Sequence, residues 1–243
     1  MRNDGRSAAQ LRPVRIVPNY TGFADGSVLI ETGDTRVLCT VNVEDSVPNW
    51  LRNQKNTQGW LTAEYSMLPG STHTRTKRER GHIGGRTQEI QRLIGRSLRG
   101  ILDMSKIPDM TFIVDCDVLQ ADGGTRTAAV TGGYIALQLA IAKLLRENRI
   151  RHNPIREAVA AVSVGIKNNE VLVDLNYQED NQVDLDMNVV LTQSGKLLEI
   201  QGTAEKSSFS KEQVLEIINA AEGALVTTFD LQRAASEGQI VEG

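Results

Sequence analysis

The sequence is short of aromatic side chains, cysteine and net charge. Phe, Trp and Tyr make up 4% of the 243 residues, so few rings are available to stack on single-stranded bases. The two cysteines, Cys39 and Cys116, stand apart without CxxC spacing and have only three histidines as partners, which argues against a zinc site and favours a reduced, cytoplasmic protein. The formal charge of −3 excludes a generally basic nucleic-acid coat, so a polyanion must be held by a local patch.

Long apolar runs and targeting signals are also scarce. No apolar run approaches the roughly 20 residues that cross a bilayer. The polar opening MRNDGRSAAQLRP lacks the pattern of a signal peptide, so we expect no membrane segment. What is present, 40% hydrophobic and 23% charged residues, is typical of a globular protein with a core of its own.

The apolar pattern of the first half changes from strands to helices. Residues 15–44 alternate with period two around a turn at Gly33-Asp34, which predicts antiparallel strands. A helix from Thr87 follows, and its predicted apolar stripe is Ile90, Leu93, Ile94, Leu98 and Ile101. Residues 111–119 predict a strand that leads through Gly123-Gly124 into a second helix.

The second half repeats this order, from hairpins to a helix. Residues 158–166 and 171–175 predict one hairpin, and residues 187–192 and 197–203 predict another. Ser210 and Gln213 form a capping box that opens the last helix. The predicted core stripe of that helix is Val214, Ile218, Ala221 and Leu225. The polar tail after Ala234 is expected to fray, and the fold class is α+β.

Two glycine pairs precede predicted helices and are followed by arginine. Gly123-Gly124 leads into Thr125 and Arg126, and a second pair leads into Arg86. A helix start offers unpaired amides and partial positive charge, and the hydroxyl and guanidinium beside it suit a phosphate-sized oxyanion. Glycines that only turn the chain, with a surface arginine, would give the same pattern. Neither run matches the P-loop or the dinucleotide fingerprint.

Positive charge is concentrated in one segment. Residues 71–100 hold eight basic and two acidic residues in a chain that is acidic overall. Residues 69–86 lack apolar periodicity and predict a long loop. Segregated positive charge with no evident acidic partners suits a phosphate backbone, whereas a solvated loop and helix face would show the same composition. Both interpretations stay open.

Negative charge clusters in the second half. The cluster comprises Asp174, Glu179, Asp180, Asp184 and Asp186, with Asn188 beyond. Asp184, Asp186 and Asn188 alternate, so an extended backbone would point them to one side. Clustered carboxylates repel unless a cation joins them or one is protonated, and Mg²⁺ commonly rests on one or two carboxylates plus substrate phosphates. A solvated acidic loop is the alternative.

The histidines do not complete a familiar catalytic arrangement. No Ser-His-Asp, Cys-His or HExxH combination can be assembled from the sequence. His82 lies in the basic segment, where it is either an RNA contact or a surface imidazole, and His73 and His152 have no evident partner.

Six separated stretches carry a family resemblance. They are DGRSAAQLRPV, GWLTAEYSMLP, GRTQEIQRLIGRSLRG, QADGGTRTAAVTGG, DLNYQEDNQVDLDMNVV and EIQGTAEKSSFS. In this order they resemble the ribonuclease PH family of phosphate-dependent 3′ exoribonucleases, nearly end to end. The resemblance implies an α+β fold of duplicated βαβα units in one compact domain, the ribosomal protein S5 domain 2-like fold. That domain would span residues 1–243, with halves of roughly 1–146 and 147–243.

The resemblance also implies roles for particular residues. The implied site for inorganic phosphate, the co-substrate, is Arg86, Gly124, Thr125 and Arg126. The implied catalytic acids are Asp180 and Asp186, which would hold a divalent metal or relay a proton. We favour the metal, Mg²⁺, because two carboxylates beside a polyanion otherwise repel it. The implied RNA contacts in the basic segment are Arg75, Lys77, Arg78 and Arg80. Gly70 stands where relatives usually carry a basic residue, which leaves one RNA contact unsupported.

The activity implied by the resemblance is trimming of transfer RNA precursors and other RNA at their 3′ ends. Phosphate would attack the terminal phosphodiester and release a nucleoside diphosphate, reversibly, so that the enzyme is also a nucleotidyltransferase. Members assemble as a homohexameric ring, a trimer of dimers. The scarcity of aromatic residues suggests recognition through backbone and shape rather than base stacking. Two other hypotheses stay open, a non-catalytic RNA-binding ring subunit and a metal-dependent hydrolytic nuclease.

Overall fold

The computed structural model describes residues 2–52, 58–204 and 208–243, and its elements follow the expected α+β order. The strands are β1 (Val14–Pro18), β2 (Gly26–Thr32), β3 (Thr35–Glu44), β4 (Trp60–Met67), β5 (Thr111–Gln120), β6 (Val159–Lys167), β7 (Glu170–Val173), β8 (Leu185–Thr192), β9 (Leu197–Ala204) and β10 (Val241–Glu242). The helices are α1 (Asn49–Arg52), α2 (Gly85–Gly100), α3 (Thr125–Arg146), α4 (Tyr177–Asp180) and α5 (Lys211–Ser236). Residues 205–207 of the last family motif lie outside the described residues.

The described strands form two sheets. The first has the order β10-β1-β2-β3-β5-β4, antiparallel except for the parallel β4–β5 pair, and the second is antiparallel in the order β7-β6-β8-β9. The four predicted hairpin strands of the second half are therefore confirmed. Helix α3 packs against β2 and β3 of the first sheet and β6 of the second, so it lies between the two sheets.

Strict alternation in β3 and β5 explains the core of the first sheet. The inward side chains are buried and include Val37, Val41, Phe112 and Val118. Cys39 and Cys116, which we expected to stand apart, are direct partners in the β3–β5 register, and both lie in the core. A hydrogen bond with Cys39, together with burial, raises the pKa of Cys116 well above its ordinary value.

Helix α3 is buried on nearly all sides, from Thr125 to Leu144. Within the described parts of the chain it is the one helix that could cross a membrane by length and composition, with a mean hydropathy of 1.5 in its most apolar stretch. We expected no apolar run of about this length from the sequence. In the structure 72% of that stretch is buried, because strands of both sheets and helices α2 and α5 pack against the helix.

Helix α5 and the tail correct two expectations. The predicted capping box of Ser210 and Gln213 is present. The predicted stripe is confirmed for Val214, Ala221 and Leu225, but Ile217 is fully buried where we predicted Ile218. The tail does not fray but forms β10 along the edge of β1, where the Val14 amide donates to the Gly243 carbonyl over 2.6 Å. This strand forms by pairing with the edge of a sheet that is distant in the chain, so its own sequence shows no alternating apolar pattern that would predict it.

The predicted loop between β4 and α2 is confirmed, although α2 begins at Gly85 rather than Thr87. We call residues 69–84 the basic loop. It is joined to the first sheet at its start, where the Ala121 amide donates to the Ser71 carbonyl over 2.8 Å. The division into halves near residue 146 stays a prediction, although α3 ends there.

Candidate active site

A cavity of about 580 Å³ opens between the start of α3, the start of α2, α4 and β8. The residues predicted for phosphate binding and catalysis all line it: Arg86, Gly124, Thr125, Arg126, Asp180 and Asp186. Four segments that are distant in the chain therefore contribute to one site. The roles of these residues stay predictions, but their meeting place is a feature of the structure.

The turn into α3 is built from two glycines for steric reasons. Gly123 and Gly124 have φ of 77° and 64°, a conformation that disfavours other residues. A Cβ on Gly123 would lie 2.5 Å from the Leu175 carbonyl oxygen, and one on Gly124 would lie 2.9 Å from Arg12 Nη2. Gly124 also has no side chain to cap the first amides of α3. The turn, residues 122–126, is called the glycine cradle below.

A buried tyrosine fixes the hydroxyl of the cradle. The Tyr65 hydroxyl on β4 lies 2.8 Å from Thr125 Oγ1, and both residues are buried. Burial raises the pKa of Tyr65 above its ordinary value, so the phenol stays neutral. The contact was not predicted from the sequence, where Tyr65 is simply one inward position of an alternating strand.

Arg126 is oriented by two residues from other elements. Its Nη1 donates to Gln201 Oε1 over 2.9 Å and lies 3.3 Å from Glu89 Oε2. Gln201 Nε2 in turn donates to Glu89 Oε1 over 2.7 Å. Both contacts of Arg126 use Nη1, so the guanidinium keeps a second edge for an anion.

The basic segment has acidic partners, contrary to the expectation from sequence. Arg96 of this segment pairs with Glu199 of β9. Arg99 covers the ring of Trp60 at 4.8 Å from its centroid and donates to the Leu61 carbonyl. Part of the charge in α2 therefore holds the fold together.

The structure divides the predicted acidic cluster into three groups. Asp186 and Asn188 lie on one face of β8 and line the cavity with Asp180, the last residue of α4. Asp184 precedes β8, where it accepts a hydrogen bond from the Asn168 amide. Asp184 is not among the described residues that line the cavity.

Asp174 and Glu179 form the third group, a buried ion-pair network. Arg2 donates to both carboxylate oxygens of Glu179 over 2.7 and 2.6 Å, and Arg6 Nη2 lies 3.5 Å from the same group. Arg12 donates to both oxygens of Asp174 over 3.0 and 2.7 Å. Burial alone would raise the pKa of Glu179, but the hydrogen bond and charge of Arg2 hold it below its ordinary value.

This network also supports the glycine cradle. Arg12 Nη1 donates to the Asp122 carbonyl over 2.5 Å, and Thr35 Oγ1 donates to the Gly123 carbonyl over 2.6 Å. The cradle is thus tied to the N-terminal segment and to β3. None of the three arginines of the network, Arg2, Arg6 and Arg12, was predicted from the sequence, although Arg6 and Arg12 lie in the first family motif.

The predicted RNA contacts lie beside the cavity rather than in it. Thr72, His73, Thr74 and Thr76 of the basic loop line the cavity. The described residues that line the cavity do not include the predicted RNA contacts Arg75, Lys77, Arg78 and Arg80, whose side chains are exposed on the same loop. His73, which had no partner in sequence, lies against Tyr177, with ring centroids 5.8 Å apart.

Oxygen ligands for a metal are limited in the described part of the chain. No group of three or more His, Cys, Asp or Glu side chains there could hold an ion. The carboxylate and carboxamide side chains in the described lining of the cavity are those of Asp180, Asp186, Asn181 and Asn188. Such a set fits Mg²⁺ that is shared with substrate phosphates rather than held by protein alone.

Fold and site together define a class of protein, an α+β chain with an anion cradle at a helix start facing two carboxylates. The model of the 3′ exoribonuclease family matches residues 10–142 with its domain 1 and residues 157–224 with its domain 2. These matches span more than half of the chain, which therefore belongs to this family, the ribonuclease PH family.

Solved structures share the fold at low sequence identity. The Rrp46 protein of rice (Oryza sativa) is 22% identical, with a TM-score of 0.79 over 97% of this chain and 100% of its own. A chain of the Archaeoglobus fulgidus exosome with RNA bound to the active site is 22% identical, with a TM-score of 0.81 over 94% and 91%. An archaeal exosome core chain is 21% identical, with a TM-score of 0.76 over 97% and 91%.

Proposed function

We propose that this protein is a phosphate-dependent 3′-to-5′ exoribonuclease that trims transfer RNA precursors and releases nucleoside diphosphates. One observation carries the proposal, the meeting of Arg86, the glycine cradle and the pair Asp180 and Asp186 in one cavity. The cradle supplies amides and the guanidinium group of Arg126 for a free phosphate, and Arg86 supplies a second guanidinium group. The carboxylates line the same cavity, and in this proposal the scissile phosphodiester lies between them and that phosphate.

The chemistry requires position and positive charge more than a base. Orthophosphate is anionic at neutral pH, so its oxygen attacks the terminal phosphorus without losing a proton to histidine. A new phosphorus–oxygen bond forms, the bond to the 3′ oxygen of the preceding nucleotide breaks, and that oxygen takes up a proton. Arg86 and Arg126 offset the charge that accumulates between two phosphates. One phosphate linkage is exchanged for another, so nucleoside diphosphates drive the reverse reaction.

Two roles are open to Asp180 and Asp186. They would hold Mg²⁺, which when bound neutralises phosphate charge and polarises the scissile group. Otherwise one of them gives its proton to the leaving 3′ oxygen. We favour the metal because two carboxylates beside two phosphates would otherwise add repulsion.

RNA binding is proposed for the basic loop beside the cavity. Arg75, Lys77, Arg78 and Arg80 are exposed there and would neutralise backbone phosphates of the acceptor stem. The Archaeoglobus fulgidus exosome, which shares this fold, has RNA bound to its active site.

We also propose that the protein forms a homohexameric ring, a trimer of dimers, in the cytoplasm. Large apolar side chains exposed on the surface would supply contacts between copies: Phe23, Leu197, Leu215 and Val226. Sedimentation analysis is expected to give six times the chain mass of 26.7 kDa, whereas a stable monomer would contradict the ring.

The function is tested with a transfer RNA carrying extra 3′ nucleotides, incubated with and without phosphate. We expect shortening only with phosphate, and chromatography of the released nucleotides should give diphosphates. Monophosphates, or equal shortening without phosphate, would indicate a hydrolytic nuclease. Binding without shortening under either condition would indicate a non-catalytic ring subunit.

A further inference from the structure

Tyr177 occupies the boundary between the cavity and a second, open groove. The groove has a volume of about 780 Å³ and lies between the N-terminal segment, the β2–β3 turn and the start of the basic loop. Tyr177 and His73 line both spaces. The Tyr177 side chain is 48% exposed, in a site whose described lining is mostly polar and charged, with Met67 and Ala121 as its apolar side chains. A half-exposed ring therefore separates the anion site from an open path.

The position of this ring is fixed relative to the glycine cradle. Tyr177 begins α4, and a capping box between Asn176 and Glu179 closes that turn. The Tyr177 amide donates to Asp122 Oδ1 over 3.3 Å, and a Cβ on Gly123 would lie 2.9 Å from the same amide nitrogen. The backbone of Tyr177 thus lies directly against the cradle. The point from which the ring extends is therefore fixed relative to the anion site.

The ring partner of Tyr177 is a residue of the basic loop. The rings of Tyr177 and His73 are tilted by 53°, with centroids 5.8 Å apart. Elsewhere in the described structure Trp50 and Trp60 pack against each other. In a chain with 4% aromatic residues, a tyrosine and a histidine at the mouth of an anion site are an unusual concentration of flat surfaces.

We propose that Tyr177, with His73, stacks on the base of a nucleotide that flanks the scissile phosphate. This inference rests on the proposed function and adds a base subsite to it. The ligand is an unpaired nucleobase of any identity, because every base has a π-face. Stacking holds the 3′ end so that its phosphodiester lies before the cradle and the carboxylates. It also requires a single-stranded end, because a base within a duplex has no free face for the ring.

The test compares normal RNA oligonucleotides with ones that lack a base at the last or the penultimate position. We expect the intact protein to lose about tenfold in kcat/KM at one of these positions, which is within the range of stacking on an aromatic ring. Tyr177→Leu should lose the same factor on normal RNA and no longer distinguish the abasic substrates. Tyr177→Phe should behave as the intact protein.

Two controls separate stacking from a structural role. The KM for phosphate should be the same in Tyr177→Leu and the intact protein, since the cradle is unchanged. Tyr20→Leu is the matched control, because the Tyr20 side chain is 50% exposed and is not among the described residues that line the cavity. This variant should show the same loss of kcat/KM on abasic RNA as the intact protein. A raised KM for phosphate in Tyr177→Leu would show a collapsed site and overturn the inference.

Failure of this subsite is distinguishable from failure of the proposed function. Suppose that the intact protein shortens RNA with phosphate, and that Tyr177→Leu loses as much kcat/KM on abasic RNA as the intact protein does. The base-stacking proposal is then wrong, and the proposed activity stands. If the intact protein shortens no RNA with phosphate, both are wrong.

Discussion

The glycine cradle and the basic loop border the same cavity but are held in place very differently. The cradle is fixed by glycine backbone contacts, by Arg12 and by Thr35. The basic loop has no helix or strand, and most of its side chains are exposed. Segments with few buried contacts open at low cost in free energy. The comparison suggests that the parts for chemistry are assembled in advance, whereas the grip on RNA adapts to its partner.

Removing a carboxylate from the cavity should have the largest effect. Asp186→Asn keeps the size of the side chain but removes the charge needed for a metal or a proton. We expect kcat to fall by about 10²- to 10⁴-fold, as for loss of an acid–base group. Asp184→Asn, two residues earlier and outside the described lining, is the matched control and should stay near normal. Equal losses in both would place the chemistry elsewhere.

The second-largest effect is expected from removing a buried carboxylate of the ion-pair network that supports the cradle. Glu179→Gln leaves Arg2 without its buried carboxylate, which should cost about 3 kcal/mol of unfolding free energy. Denaturant titration measures this loss, and Glu170→Gln on the exposed start of β7 is the control. Unchanged stability would mean that the network does not support the fold.

The same carboxylate predicts a dependence on pH. Glu179 has a pKa below its ordinary value of 4.5 in the folded protein, so its contribution is complete above pH 4.5 and is lost as the pH falls through the folded pKa. The intact protein should therefore lose stability in acid, and Glu179→Gln should lose less. Parallel curves for both proteins would contradict the assignment.

Weakening the cradle itself should change phosphate binding. Arg126→Gln removes the guanidinium and leaves Glu89 without its cationic partner beside the incoming anion. We expect kcat/KM for phosphate to fall by about 10²-fold, the usual cost of one lost anion donor. Arg96→Gln is the control, because Arg96 pairs with Glu199 and neither is among the described residues that line the cavity. Its kcat/KM for phosphate should equal that of the intact protein.

Neutralising the basic loop should have the smallest effect. It would separate RNA binding by the loop from phosphate binding by the cradle. The changed residues are Arg75, Lys77, Arg78 and Arg80, each replaced by glutamine. The KM for RNA should rise, and the salt dependence of binding should weaken by about 0.7–0.9 in log–log slope per lost phosphate contact. The KM for phosphate should not change. Arg151→Gln, an exposed arginine outside the loop, is the control, and an equal effect there would deny the loop a special role.

Local patterns predicted much of the fold. Alternation predicted β2, β3 and β5, helical spacing predicted α2, and the Ser210 capping box predicted the start of α5. The features that were missed depend on distant partners. Strand β10 needs the edge of β1, and the cysteines meet only because β3 and β5 pair. Residue spacing carries no signal for such pairings.

The candidate site shows the same limit. Glycine pairs before arginines indicated the anion cradle, and the family resemblance selected Asp180 and Asp186 from five carboxylates. Geometry then separated Asp174 and Glu179, which neutralise buried arginines, from the pair in the cavity. Tyr65, Gln201 and Tyr177 could not be predicted, because each acts through a contact with a residue far away in sequence.

The central claim is that a free phosphate in the glycine cradle becomes part of the product. Radiolabelled orthophosphate supplied with unlabelled RNA tests this directly. One label per released nucleotide, in the β position of the diphosphate, is the expected result, and Arg126→Gln should slow its appearance in step with RNA shortening. Shortened RNA with unlabelled nucleotides would contradict the claim.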